Sequence, residues 1–203
     1  MPNWCYNALT VSGEPDDLKS FVKANMGVPA KYPPVYDKKG RCLTDSTPKT
    51  TPHFCFNALL PTPKEVLEMG FCCHEEISDS AKISAIFGNT IAPLDGFHWN
   101  IANWGTKWDI YNDNITEETI NWSEKGDSIF IEFDTAWSPP TPWFETVVSK
   151  FPTLHFTLHY EEPGFFFAAD VTGENGCCTY DHYDDERCEE LFDFSDNLCG
   201  STA

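Results

Sequence analysis

The chain has 203 residues, of which 41% are apolar and 15% aromatic, enough for one large domain or two small ones and enough to bury a core. A formal net charge of −19 therefore does not make it a disordered chain. The charge is lopsided: residues 1–101 carry 11 acidic and 9 basic side chains, and residues 102–203 carry 21 acidic and 4 basic. Such a surface excludes direct nucleic-acid or anionic-membrane binding, because it cannot replace the counterions of phosphates, and it attracts basic partners.

"WCYNALTVSG" (4–13) alternates and ends at Gly13, so it reads as a strand. "EPDDLKSFVKAN" follows with acidic residues in its first turn. Leu18, Phe21 and Val22 on one face mark a helix over 14–25. Residues 27–52, with five prolines, read as a long loop. "HFCFNALL" (53–60) reads as a second strand, stopped by Pro61. Beyond it, "KEVLEMG" is a helical turn or two and "SAKISAIFG" a possible second helix. The tryptophan-rich stretch "FHWNIANWGTKWDIYND" occupies 97–113.

"SIFIEFDTAW" (128–137) is the clearest strand, with Ile129, Ile131 and Phe133 on one side and Phe130 on the other. Prolines at 139, 140 and 142 open a helix that runs to about residue 150. "LHFTLHYEE" (154–162) alternates strictly, with Leu154, Phe156, Leu158 and Tyr160 on one face and His155 and His159 on the other. "GFFFAADVTG" (164–173) is a further strand behind a Glu-Pro-Gly turn. The fold class expected is α+β: a ferredoxin-like antiparallel sheet of 4–12, 53–60, 128–136, 154–161 and 165–172, with helices on one face. The domain spans 1–176, with insertions near 27–52 and 64–100. An acidic C-terminal helical tail, 177–203, packs on or beside it, with Tyr183, Cys188, Leu191, Phe192 and Phe194 docking one side of the last helix.

The phrases "NWCYNALTVSG", "FNALLPTPKEV", "NWGTKWD", "FDTAWSPPTPWF" with "KFP", and "YEEPGFFFA" occur in this order. Together they resemble the YubB-type ferredoxin-like family of conjugative plasmids and tailed phages, over roughly residues 3–173. The resemblance implies a ferredoxin-like fold and a phage or plasmid origin. It brings no activity and no site residues.

Within "NWGTKWD", an extended chain turns Trp104 and Trp108 to the same face, with Gly105 at a bulge or close approach. Lys107 and Asp109 then share the other face and can pair, and Trp137 in "TAW" is a cross-strand neighbour. The stretch reads as a corner stapled by buried tryptophans. An aromatic platform for a base or peptide is the alternative, disfavoured because Lys107 and Lys125 are the only cations between 102 and 149.

Nine cysteines and no signal-peptide pattern point to a cytosolic protein with reduced thiols. Cys177, Cys178, His182 and Cys188 are weak zinc candidates, as are Cys72, Cys73 and His74, because no C-x-x-C spacing occurs. No nucleophile–base, Walker or H-E-x-x-H motif is present, so no catalytic residue and no cofactor is expected.

The densest negative cluster is Asp181, Asp184, Asp185, Glu186, Glu189 and Glu190. It is the expected contact surface for a host protein with a basic groove, such as a restriction or CRISPR-type complex in the bacterial cytosol. There the chain acts as a non-enzymatic nucleic-acid mimic, an anti-defence inhibitor. The alternative is a small-ligand-binding or scaffold module of phage metabolism, with zinc as an option.

Overall fold

A computed structural model describes residues 3–31, 51–71, 95–110 and 114–192. β1 (Trp4–Ser12) is buried at every second position because Cys5, Asn7, Leu9 and Val11 turn one way. α1 (Pro15–Asn25) starts at a proline with Asp16 and Asp17 in its first turn, and buries Leu18, Phe21, Val22 and Asn25. β2 (Met26–Gly27) pairs with β3 (His53–Phe54) in a separate two-stranded sheet. Two short helices follow, α2 (Phe56–Leu59) and α3 (Lys64–Met69). Then come α4 (Gly96–Trp104), β4 (Asn121–Trp122), β5 (Ser128–Ala136), α5 (Thr141–Lys150), β6 (His155–Glu162), β7 (Phe167–Glu174), β8 (Cys177–His182) and α6 (Asp185–Phe192).

Among the described residues, the main sheet has six strands in the order β4-β5-β1-β6-β7-β8, and every neighbouring pair is antiparallel. β5 and β6, joined through α5, flank β1, which lies between them. Leu9 faces Ile131 on one side and Leu158 on the other, so the apolar positions of three strands share one face. α1 and α5 cover that face. Phe21 meets Phe156 at 5.7 Å between ring centres, and Phe144 meets Phe156 at 6.1 Å. Phe54, Phe56 and Trp143, all fully buried, interlock at 5.8 and 4.8 Å.

Four of the five expected strands and both covering helices are present. The strand expected at 53–60 is corrected. Only His53–Phe54 is extended, outside the main sheet, and Phe56–Leu59 is helical. A short apolar run carries no period that separates strand from buried helix. The expected boundary at 176 is not a structural break either, since Cys177–His182 continues the sheet along β7. "SAKISAIFG" lies outside the described residues, as do Phe194 and the end of the tail.

Candidate interaction surface

Among the described residues, no helix crosses the centre of the sheet's second face, which presents the alternate side chains of five strands. One row crosses it as Asp134, Tyr6 and Glu161. The next runs Glu132, Ala8, His159, Asp170 and Asp181. A third is Thr10, Thr157, Thr172 and Thr179. The fourth brings His155, Glu174 and Cys177 together, with Nδ1 of His155 2.9 Å from Glu174. Six carboxylates thus share one open face: Glu132, Asp134, Glu161, Asp170, Glu174 and Asp181. The solvent side expected for His155 and His159 is this face.

α6 is anchored to the same face by Arg187, the only Lys or Arg beyond residue 150. Its guanidinium donates to Asp181 at 2.8 Å and Asp170 at 3.4 Å, and lies 3.4 Å from the centre of the Tyr183 ring. Tyr183 donates to Asp170 at 2.8 Å, and His159 Nδ1 is 2.8 Å from the same residue. Burial, and then Asp170, push the Tyr183 hydroxyl pKa up. Asp184 caps α6 by accepting the Arg187 N–H, and Cys188 is the buried residue of the helix. The side chains of Asp181, Asp184, Asp185, Glu186, Glu189 and Glu190 all stay exposed. The structure brings the expected acidic cluster to the edge of a larger acidic face.

The weak zinc candidates Cys177, Cys178, His182 and Cys188 do not converge. Cys178 packs against the core and Cys177 is exposed, as alternation on β8 requires. His182 stacks on Tyr180, and Cys188 is on the buried side of α6. Among the described residues, no group of three or more His, Cys, Asp or Glu side chains is placed to hold a metal ion. Cys72, Cys73 and His74 lie outside those residues. Elsewhere, burial pushes the thiols of Cys5 and Cys55 up to about 12, which keeps them protonated.

The "NWGTKWD" stretch is not extended. Trp104 ends α4, whose N-cap Asp95 accepts the His98 N–H, and Gly105 caps it in the left-handed region at φ 86°. The helix end separates the two tryptophans: Trp104 is 1% exposed and Trp108 is 37% exposed. Only half of the expected corner is therefore buried. The close approach at Gly105 is real, but it is to the Pro139–Pro142 turn rather than between tryptophans. Thr106 donates to Ala136 O at 3.1 Å and Ser138 to Gly105 O at 2.6 Å, which joins the loop to the "TAW" segment.

Lys107 and Asp109 do not pair. Lys107 lies over the Trp108 ring at 4.7 Å, and Asp109 turns inward. The Asp109 carboxylate accepts N–H bonds from Phe56 at 2.7 Å, Asn57 at 3.1 Å and Ile110 at 2.8 Å, so it caps α2. The residue as a whole is half-buried, but this carboxylate is enclosed. Burial pushes its pKa from 3.8 up to about 6, against the downward pull of those donors and of His53.

In the folded protein Asp109 thus holds its proton to higher pH than in the unfolded chain. Its contribution to stability is present below about pH 4 and is lost as pH rises through about 6. Relative to Asp109→Asn, the wild type should lose roughly 2–3 kcal/mol between about pH 4 and about pH 7. Urea unfolding of both proteins across that range checks this. A constant difference would mean that the carboxylate is ionised throughout.

A second aromatic group lies where β1 begins. Trp4, on the open face, meets Trp108 at 6.4 Å, and Trp137 meets Phe165 at 5.9 Å. All four rings are at least 37% exposed. Trp137 donates its N–H to Asn3 O at 3.0 Å from a left-handed backbone, φ 74°, unusual for a bulky residue. Buried Glu162 accepts the N–H groups of Gly164 and Phe165 and so shapes the turn carrying Phe165.

An antiparallel sheet with α1 and α5 packed on one face is a ferredoxin-like α+β arrangement. Residues 107–199 match the family model described as a ferredoxin-like domain in Api92-like protein, and that match runs through β8 and α6. The crystal structure of protein api92 from Yersinia pseudotuberculosis is similar over 91% of this chain and 99% of that chain, with 11% identity and a TM-score of 0.45. No curated protein matches the chain. Among the described residues, no helix is long and apolar enough to cross a membrane.

Proposed function

We propose that the chain is a non-enzymatic acidic protein that docks on the basic, nucleic-acid-binding surface of a host defence protein, presenting carboxylates where phosphates would lie. The observation that carries this reading is the gathering of six carboxylates on one open sheet face, extended by the exposed acids of α6. Asp134 and Glu161 stand two strands apart, about 9–10 Å, and Asp170 and Asp181 are direct neighbours. Arg187 bridges Asp170 and Asp181, so the field a cationic partner would meet comes chiefly from the carboxylates without a Lys or Arg beside them and from the exposed acids of α6. The phrase-level resemblance to the YubB-type family supports a phage or plasmid origin, in which blocking a restriction or CRISPR-type complex in the host cytosol is an advantage.

The alternative, a ligand-binding or scaffold module, would use a depression lined by Thr172, Glu174, Asn175, Cys177 and Thr179. That depression is open to solvent and lies on the acidic face itself. The arrangement therefore favours a macromolecular partner over an enclosed small molecule.

The test starts from affinity capture of bacterial proteins on the wild-type chain. Association rates are then measured for the wild type and for a variant with Asp184, Asp185, Glu189 and Glu190 changed to Lys. The variant should associate at least about tenfold more slowly; loss of the Asp184 cap on α6 should cost about 1 kcal/mol, and the other exposed charges little. Raising salt from ~50 to ~300 mM shortens the Debye length from about 14 to about 6 Å and should slow the wild type markedly. A rate indifferent to both changes would leave the acidity as a solubility device.

A further inference from the structure

We infer that the Trp4–Trp108 pair is a docking site for an arginine side chain of a basic protein partner. The inference rests on the acidic-face reading and adds to it a place and a residue type. Trp4 is 39% exposed and Trp108 37% exposed, with ring centres 6.4 Å apart and planes tilted by 49°. Trp4 sits on the open face, one row beyond Tyr6, which Asp134 and Glu161 flank on the neighbouring strands. Aromatic faces beside carboxylates match a cation that is both planar and charged. A guanidinium stacks on an indole and donates in parallel to a carboxylate, whereas an ammonium is more strongly hydrated and acts as a point charge.

The Trp108 face already holds a cation, which an incoming guanidinium must displace. Lys107 places its ammonium 4.7 Å from the centre of the Trp108 ring and 5.7 Å from that of Phe97. The neighbouring row is complementary to arginine: Asp134 and Glu161 flank Tyr6, two residues from Trp4 on the same face. A base or a phosphate would meet Asp134, Glu132 and Glu161 instead of counter-charges, so the aromatic pair fits a cationic protein segment and not a nucleic acid.

The test uses two capped peptides of alternating glycine and basic residue, one with four arginines and one with four lysines, titrated into the full chain. Indole N–H resonances, assigned with Trp4→Phe and Trp108→Phe, report the site. The arginine peptide should bind about two- to fivefold tighter than the lysine peptide, and should shift the Trp4 and Trp108 resonances. Trp4→Ala and Trp108→Leu should each abolish that preference while keeping the wild-type melting temperature to within a few degrees. Equal affinity for the two peptides, or a preference that survives both variants, would overturn the inference. Salt separates the two readings. An arginine preference that is lost in Trp4→Ala but insensitive to ~300 mM salt upholds the aromatic site and removes the long-range acidic field from the account.

Discussion

Replacing Trp104 with alanine should destabilise the protein by about 3–5 kcal/mol. The ring is 1% exposed, packs on Phe56 at 6.0 Å and Trp99 at 5.4 Å, and donates its indole N–H to Leu60 O at 3.0 Å. Truncation therefore opens a cavity and leaves a carbonyl without its donor. The neighbouring Trp108→Ala should cost no more than about 1 kcal/mol, because that ring is partly in water already. Denaturant unfolding of the two variants checks the contrast. Equal losses would mean that both rings are packed alike, as an extended chain would require.

Gly105→Ala should cost roughly 2–5 kcal/mol, the sum of a strained backbone and a steric clash. A Cβ at Gly105 would stand 2.4 Å from Cδ of Pro142 and 2.7 Å from the Pro139 carbonyl oxygen, and φ is 86°. Gly126 supplies the control. Its φ is 70°, yet nothing lies within 4 Å of the added Cβ, so Gly126→Ala should cost only about 1 kcal/mol. The difference between the two isolates the contact between α4 and the turn that starts α5. Similar costs at both glycines would show that this contact yields without strain.

Those two residues also show how far the chain could be read before the fold was known. Strands β1, β5, β6 and β7 were legible because each buries one face and wets the other, and the period of two survives in the letters. Trp104 and Trp108 misled because a spacing of four fits one face of a strand or one face of a helix. The deciding signs were Asp95 and Gly105, an N-cap and a C-terminal glycine that bracket α4 and place Trp108 beyond its end. The run at 53–60 failed for the opposite reason. It is apolar nearly throughout, and the cap that distant Asp109 places on Phe56 and Asn57 at the start of its helical half is not visible locally. β8 was hidden because an edge strand is almost wholly exposed and shows no apolar alternation.

The acidic cluster of residues 181–190 was legible from density alone. The carboxylates that enlarge it were not. Glu132, Asp134, Glu161, Asp170 and Glu174 each look like the polar half of an ordinary strand. Only the order β5-β1-β6-β7 gathers them on one face. Arg187, the lone cation among the tail acids, proved to be the anchor that holds α6 beside them.

The most direct measurement of the central claim is competition. A labelled nucleic acid bound to the captured partner is challenged with increasing wild-type chain, and in parallel with the variant carrying Asp184, Asp185, Glu189 and Glu190 changed to Lys. If the acidic face takes the place of phosphates, the wild type should displace the nucleic acid completely and the variant should need at least about tenfold more protein. A stable ternary complex, with partner, nucleic acid and chain bound together, would contradict the account.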